Sequence, residues 1–354
     1  MNDSTFDYII VGAGTAGCLL ANRLSADASK RVLLIEAGKR DDYHWIHIPV
    51  GYLYCIGNPR TDWLYETEAA AGLNGRTLRY PRGKVLGGCS SINGMIYMRG
   101  QSRDYNQWAA ITDDPQWRWD QCLPYFKFHE DHHQGATETH GANGVPAALL
   151  NPQAHQDAAS AEYFRVLKAR KAGGEWRIEK QRLSWGVLDA FAQAAQQAGV
   201  PASADFNQGN NEGVGYFEVN QKSGWRWNTA QAFLRPTCYA RPNFELWTQA
   251  QVARLVIETD ADGGKRCTGV KVWDGHQLVT ATATREVALS AGSIGSAQIL
   301  QLSGIGAANS LKQNGVEVMH DLPGVGANLQ DHLQIRSVYK VKHAKTLNTL
   351  ANSW

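Results

Sequence analysis

At 354 residues, with 43% hydrophobic and 19% charged residues, the chain is long enough to bury two cores and too apolar for disorder to be expected over most of it. A net charge of +2, with Lys and Arg scattered rather than run together, leaves no footprint for nucleic acid or another anionic partner. Six widely spaced cysteines without Cys-x-x-Cys or zinc-type spacing suggest free thiols in a reducing compartment; with no signal peptide after the polar Met1 to Thr5 and no membrane span, a cytoplasmic protein is expected.

Phe6 to Val11 is an apolar β run, followed by Gly12-Ala13-Gly14-Thr15-Ala16-Gly17, a helical apolar face through Leu19, Leu20 and Leu24, and a strand from Val32 to Ile35 ending at Glu36 and Ala37. This order predicts a βαβ dinucleotide-binding unit. Gly12 permits the tight turn, Gly14 lets the backbone approach a pyrophosphate, and Gly17 lets helix and strand pack closely. The helix amino terminus, opening at Thr15 and Ala16, attracts the anion. Glu36 is placed to accept hydrogen bonds from a ribose diol, which disfavours the 2'-phosphate of NADP. NAD and FAD both remain open on this unit alone.

Five glycines fall within the nineteen residues from Arg82 to Gly100. A plain helix or strand would be weakened by so many, so the run, Gly87 and Gly94 included, predicts main chain laid against a flat cofactor. Cys89 reads as a small buried cysteine without a resolving partner. His129, His132 and His133 lie in a charged stretch with no carboxylate or Cys at ligand spacing, which predicts solvated surface and no metal.

His140 to Gly173 is Ala- and Gln-rich and predicts a surface excursion. Leu183 to Gly199 carries Trp185, Leu188, Phe191, Ala195 and Ala198 at helical spacing, with Ser184 as cap and Gly199 as stop, which predicts a buried amphipathic helix. Gly213 to Asn220 alternates as a strand. Val252–Glu258, Thr268–Trp273 and Leu278–Thr284 are β-prone runs separated by turn sequences and predict an antiparallel meander. Glu286 to Ser290 returns as a strand into Ala291-Gly292-Ser293, and a helix follows through Ile294, Ala297, Leu300 and Ile305.

The run from Arg82 to Gly100 closely resembles the flavin-contact signature of the glucose-methanol-choline (GMC) oxidoreductase family. Gly292 to Gly306 resembles the family's second signature, with Ala297 where proline is usual, and Leu322 to His332 is similar to a further family segment. The βαβ unit completes four landmarks in family order. The stretch Gly224-Trp225-Arg226-Trp227-Asn228-Thr229-Ala230 resembles another family segment, with Asn228 in place of Ser.

The resemblance implies an α/β fold of the glutathione-reductase type: a parallel sheet with βαβ and an antiparallel meander, and an interleaved α+β substrate or cap domain. The FAD-binding domain is expected over 1–45, 78–100 and 213–335, and the cap over 46–77, 101–212 and 336–354. The cofactor implied is FAD. Val85 and the backbone from Asn93 to Ile96 would line the isoalloxazine, Val252 would pair through its main chain with the adenine, and Ala291 and Gly292 would pack near the nucleotide. Ile92 stands where covalently flavinylated members carry histidine, so the FAD is expected to be noncovalent.

The activity implied is oxidation of an alcohol, with hydride passing to flavin N5 after a base removes the hydroxyl proton. The electron acceptor, whether oxygen, quinone or another, stays open. Asp331-His332 is expected to serve the fold or support the flavin rather than to act as the base. The proton-transfer His pair of the family is expected beyond Trp354, in a longer enzyme of which this chain is the amino-terminal part. Gln334 stands where choline-oxidising members tend to have Glu, which favours a neutral primary alcohol. Two other classes stay in view: a catalytically silent flavin-binding module, and an NAD-dependent dehydrogenase.

Overall fold

The structure, a computed structural model, describes residues 4–141, 174–332, 334–346 and 348–349. The expected excursion from His140 to Gly173 therefore lies outside the described residues from 142 onward. The described residues divide into two compact units, one formed by 4–94 and 225–330, the other by 95–141, 174–224 and the described residues from 331 onward.

The first unit is built on a six-stranded sheet. Its strands run in the order Phe244–Thr248, Val32–Glu36, Ser4–Val11, Leu278–Leu289, Lys265–Trp273, Gln251–Thr259. The first four are mutually parallel, with Tyr8 opposite both Val32 and Glu286 and Val11 opposite both Ile35 and Leu289. The last three form an antiparallel meander, with Gly269 opposite Thr282 and Val252 opposite Val272. All five residues of Val32–Glu36 are buried, as expected of a central parallel strand covered on both faces. Ile9, Leu33, Ile35, Trp247, Val270, Ala281 and Ile299 belong to one apolar cluster that spans parallel and antiparallel parts.

Two expectations change here. Leu278–Thr284 and Glu286–Ser290 are not separate strands: Leu278–Leu289 is continuous, pairing antiparallel with Lys265–Trp273 from Leu278 to Thr282 and parallel with Ser4–Val11 from Ala281 to Leu289. Arg285 and Glu286 look like a break in sequence, but both stay in the extended run, and the slip is taken up by an irregularity between Phe6 and Tyr8. The following helix ends at Leu302 rather than Ile305, which instead pairs with His320 after Gly304 turns the chain at φ +81°.

Residues 46–77 belong to the first unit rather than to a cap, because Ile46 and Cys55 pack with Val85 and Ile92 in a buried cluster. Residues 213–224 belong to the second, because Glu218–Val219 pairs with Ile96–Tyr97 and with Trp176–Lys180. Residues 331–335 also fall in the second unit. Only Glu218–Val219 of the expected Gly213–Asn220 strand is regular.

The second unit holds a four-stranded sheet in the order Ile96–Tyr97, Glu218–Val219, Trp176–Lys180, Glu130–His132. Helices Ser102–Thr112 and Trp119–His129 contribute an aromatic group in which Tyr105 contacts Trp108, Trp119 and Phe126. The predicted amphipathic helix runs from Gly186 to Gln197 with Trp185, not Ser184, at its amino cap. Its apolar face is not buried: Leu188 and Phe191 are about half exposed. Helical spacing specifies the apolar stripe and leaves open what covers it.

The histidine stretch departs furthest from expectation. His132 is buried and His140 fully so, while Arg99 and Glu130 form an enclosed ion pair to which Tyr97 also donates. The carboxylates come from outside the stretch, from Asp205 and Glu218.

Candidate cofactor site

A cavity of about 570 Å³ opens in the first unit, at the carboxyl ends of the parallel strands. That volume is on the scale of small-molecule and cofactor sites, and strand ends in doubly wound sheets are where such sites form. Gly12, Gly14, Thr15, Ala16, Glu36, Ala37, Val252, Ala291 and Gly292 line it, together with Trp63, Tyr65, Arg82, Gly83 and Cys89.

The helix Thr15–Leu24 opens directly into this cavity. Gly12 holds φ +96°, and a Cβ there would meet Ser290 O at 2.6 Å; a Cβ on Gly17 would meet Gly12 O at 1.9 Å. Gly14 has nothing within 4 Å of its would-be Cβ, so the open side of the loop is the side facing the cavity. The glycines thus separate into two that pack the loop and one that leaves room for an anion at the first-turn N–H groups. Gly17→Ala is expected to destabilise the fold by about 2 kcal/mol or more through backbone overlap, whereas Gly14→Ala should leave the melting temperature within about 2 °C and weaken FAD binding at least tenfold. Thermal melts and FAD titrations of the two variants separate these effects.

Glu36 ends the second strand with both oxygens engaged: Ala13 N–H donates to Oε2 at 2.9 Å and Gly38 N–H to Oε1 at 2.8 Å. Burial pushes its carboxyl up to about 7, outweighing the stabilising pull of those two amides. Such a group holds a ribose diol well, because two hydroxyl donors stabilise its ionised form.

The segment from Arg82 to Gly94 is fastened to this loop and to a buried polar network. Gly87 N–H donates to Ala13 O at 2.8 Å, and Leu86 N–H to Lys39 O at 2.9 Å. Ser90 Oγ donates to Gly87 O and accepts from Thr229 N–H; Asn228 Nδ2 donates to Asp41 and to Ser91 Oγ. Arg226, fully buried, donates to Ile46 O at 2.7 Å, Ser90 O at 3.1 Å and Asn93 Oδ1 at 2.9 Å. Burial lowers its guanidinium to about 10.

The remaining candidates sit elsewhere. Val85 is buried beside Ile92, Gly87 turns at φ +88° against Ser91 and Asn228, and Gly94 has open space around it. Met95 holds φ +64° and is buried in the second unit, and Ile96 is 46% exposed. None of these lines the cavity. His332 is exposed. Cys89 is exposed as well, its sulfur accepting from Gly83 N–H at 3.4 Å, because flanking glycines bring the chain to the cavity wall.

Trp63, Tyr65 and Arg82 were not foreseen in the wall. Trp63 and Tyr65 stack with centroids 5.8 Å apart and planes 3° from parallel, and Lys84 lies over Trp63. The chain turns between the two rings at Leu64, which holds φ +60°, so the pairing follows from a local bend that the sequence does not signal.

The sequence model described as GMC oxidoreductase matches residues 6–334. The chain belongs to the GMC oxidoreductase family. It is 39% identical over 338 residues to an alcohol dehydrogenase (acceptor) of Pseudomonas putida, covering 93% of this chain and 54% of that protein. It is 38% identical over 337 residues to the mitochondrial choline dehydrogenase of Homo sapiens, covering 93% and 50%. Among solved structures, pyridoxine 4-oxidase from Mesorbium loti superposes with TM-score 0.77 at 32% identity, covering 90% of this chain and 55% of that one. The chain thus spans about half the length of the curated relatives it matches. The α/β FAD-binding fold of this chain is shared with those neighbours. No helix among its described residues is long and apolar enough to cross a membrane.

Proposed function

We propose that this GMC chain binds FAD noncovalently and serves oxidation of an alcohol. One observation carries the reading: the glycine loop, Glu36, Val252 and Ala291-Gly292, from four separate parts of the chain, line a single cavity. Bound FAD supplies a two-electron acceptor able to take hydride from a carbinol carbon.

The chain's own residues then divide the work. The first-turn amides at Thr15 and Ala16 face the pyrophosphate, and Glu36 accepts from the ribose. The main chain at Val252 meets the adenine, and Ala291 and Gly292 lie beside the nucleotide. Family likeness assigns Val85, Gly87 and the backbone from Asn93 to Ile96 to the isoalloxazine, apart from the cavity that the nucleotide-binding residues line. Ile92 offers only an alkyl side chain, packed against Ile46, Cys55 and Val85, which supports noncovalent attachment. Gln334 carries no charge for a quaternary ammonium, which favours a neutral primary alcohol. Identities of 39% and 38% to alcohol and choline dehydrogenases do not separate those substrates.

The purified chain should show flavin absorbance bands after addition of FAD and gel filtration, and acid precipitation should release all the flavin to the supernatant. Absence of the bands overturns FAD binding; flavin retained in the pellet overturns noncovalent attachment. In a longer protein that carries this chain together with the family's proton-transfer His pair, anaerobic addition of neutral primary alcohols should bleach the bands more strongly than choline. Bound flavin that no alcohol bleaches in that longer protein decides for a catalytically silent module.

A further inference from the structure

Three side chains of the second unit converge on one point and have no part in the proposed flavin binding. His132, the last residue of the Glu130–His132 strand, brings Nε2 to 3.0 Å from Glu218 Oε1, and His133 brings Nε2 to 2.8 Å from the same oxygen. Glu218 opens its strand on the other side of Trp176–Lys180. The His132 side chain is fully enclosed and Glu218 nearly so, while His133 is 17% exposed and leaves an approach from solvent. The three ligand atoms lie within 4.8 Å of one another. We propose that His132, His133 and Glu218 hold a divalent transition-metal ion of the zinc class, with water completing the shell.

Two imidazole nitrogens and one carboxylate oxygen form a borderline donor set suited to zinc, nickel or cobalt rather than to calcium or magnesium. With metal–ligand bonds of about 2.0–2.2 Å, tetrahedral donors stand roughly 3.3–3.6 Å apart. The observed 3.0 and 2.8 Å therefore need widening by well under an ångström, within reach of small side-chain rotations.

Charge balance supports the assignment. His140 reaches Glu130 through Nδ1 at 3.1 Å and Asp205 through Nε2 at 2.9 Å, so both ring nitrogens serve carboxylates, and Arg99 pairs with Glu130. Arg99 and His140 thus serve Glu130 and Asp205, and among the described residues the ion-pair partners of Glu218 are His132 and His133, with a His140 nitrogen within 4.8 Å but bonded to the other two carboxylates. A buried carboxylate in that position gains from a cation.

Surrounding groups are arranged to hold the ligands. Asn207 Nδ2 reaches the second Glu218 oxygen at 3.4 Å, and the His140 ring stacks on His132 at 3.8 Å with planes 13° apart. Such contacts orient ligands in metal sites. One contact must open: Gln134 N–H points at His132 Nδ1 from 3.4 Å, and an imidazole ligating through Nε2 carries its proton on Nδ1.

The test uses the whole purified chain, stripped with chelator and titrated with zinc chloride by calorimetry. About one zinc per chain should bind, and His133→Ala and Glu218→Gln should each lower the affinity at least tenfold. X-ray absorption at the zinc edge of the loaded native protein should report two imidazole nitrogens with oxygen at about 2.0–2.2 Å. Because that measurement needs no variant, it decides the matter even if substitutions unfold the protein. Absence of stoichiometric binding, affinity unchanged in His133→Ala, or sulfur in the zinc shell would overturn the site. Flavin absorbance is an independent readout, so failure here and failure of the FAD reading are distinguishable.

Discussion

Glu36→Gln should weaken FAD binding at pH 8 by about 10- to 100-fold, the loss expected when a charged hydrogen-bond acceptor is removed. Both Glu36 oxygens already accept from backbone amides, Ala13 on one and Gly38 on the other. A Gln side chain turns one of those positions into a donor facing a donor, so the loop is disturbed along with the ribose contact. The pH dependence separates the two effects. Burial raises the folded-state carboxyl to about 7 from an ordinary 4.5, so the folded protein without FAD holds a proton that the unfolded chain has lost. Folding carries no penalty from this group below pH 4.5. The penalty grows as pH rises and reaches roughly 3 kcal/mol above pH 7, at 1.36 kcal/mol per pH unit.

A ribose diol donating to the ionised form offsets that penalty, so FAD affinity should rise with pH across this window while FAD-free stability falls. In Glu36→Gln both trends should flatten. Fluorescence titrations of FAD at pH 5, 6, 7 and 8, with matched thermal melts, test this directly. Affinity independent of pH in the native chain would show that Glu36 does not bear on the cofactor.

Arg226→Ala should lower stability by roughly 3–5 kcal/mol, combining an unfilled volume with orphaned acceptors. At about 2–4 °C per kcal/mol for a unit of this size, the melting point falls by roughly 10 °C. Three acceptors from different segments, Ile46 O, Ser90 O and Asn93 Oδ1, meet on this one guanidinium. Its Nη2 has no partner among the described residues, and burial lowers its pKa to about 10. The side chain therefore bears a desolvation cost that its contacts must exceed. Arg226→Met keeps much of the volume and removes the buried charge, so it should recover part of the stability lost in Arg226→Ala. Neither variant should hold FAD as tightly as the native chain, since Asn93 loses an anchor. A melt of Arg226→Ala within 2 °C of native would mean that the network is redundant.

The parts of this fold legible in the sequence are those set by local periodicity. Phe6 to Glu36 alternates strand, glycine loop, helix and strand in register, and the structure keeps each piece in place. The short Phe244–Thr248 edge strand was not foreseen, because five residues of mixed polarity acquire their identity only by pairing with Val32–Glu36. Arg226 and Asn228 carry only a family likeness in the sequence, since a charged residue between tryptophans reads as surface until neighbours from residues 41 to 93 enclose it.

His132 and His133 show the same limit. Their carboxylate partner lies 86 and 85 residues away, and only sheet pairing brings Glu218 to them. Helix Gly186–Gln197 shows the converse, with a regular apolar stripe that stands exposed.

The continuous strand Leu278–Leu289 acts as a ruler. One half is registered against Lys265–Trp273, which positions Gln251–Thr259, and the other against Ser4–Val11, which positions the glycine loop. The distance between the Val252 wall and the Ala291-Gly292 wall is thus gauged by hydrogen-bonded rungs rather than by loops. A one-residue slip would turn inward-facing side chains outward, so the spacing is quantised. A dinucleotide of the wrong length cannot be met halfway by small backbone adjustments; it must span the fixed interval or leave one end unheld.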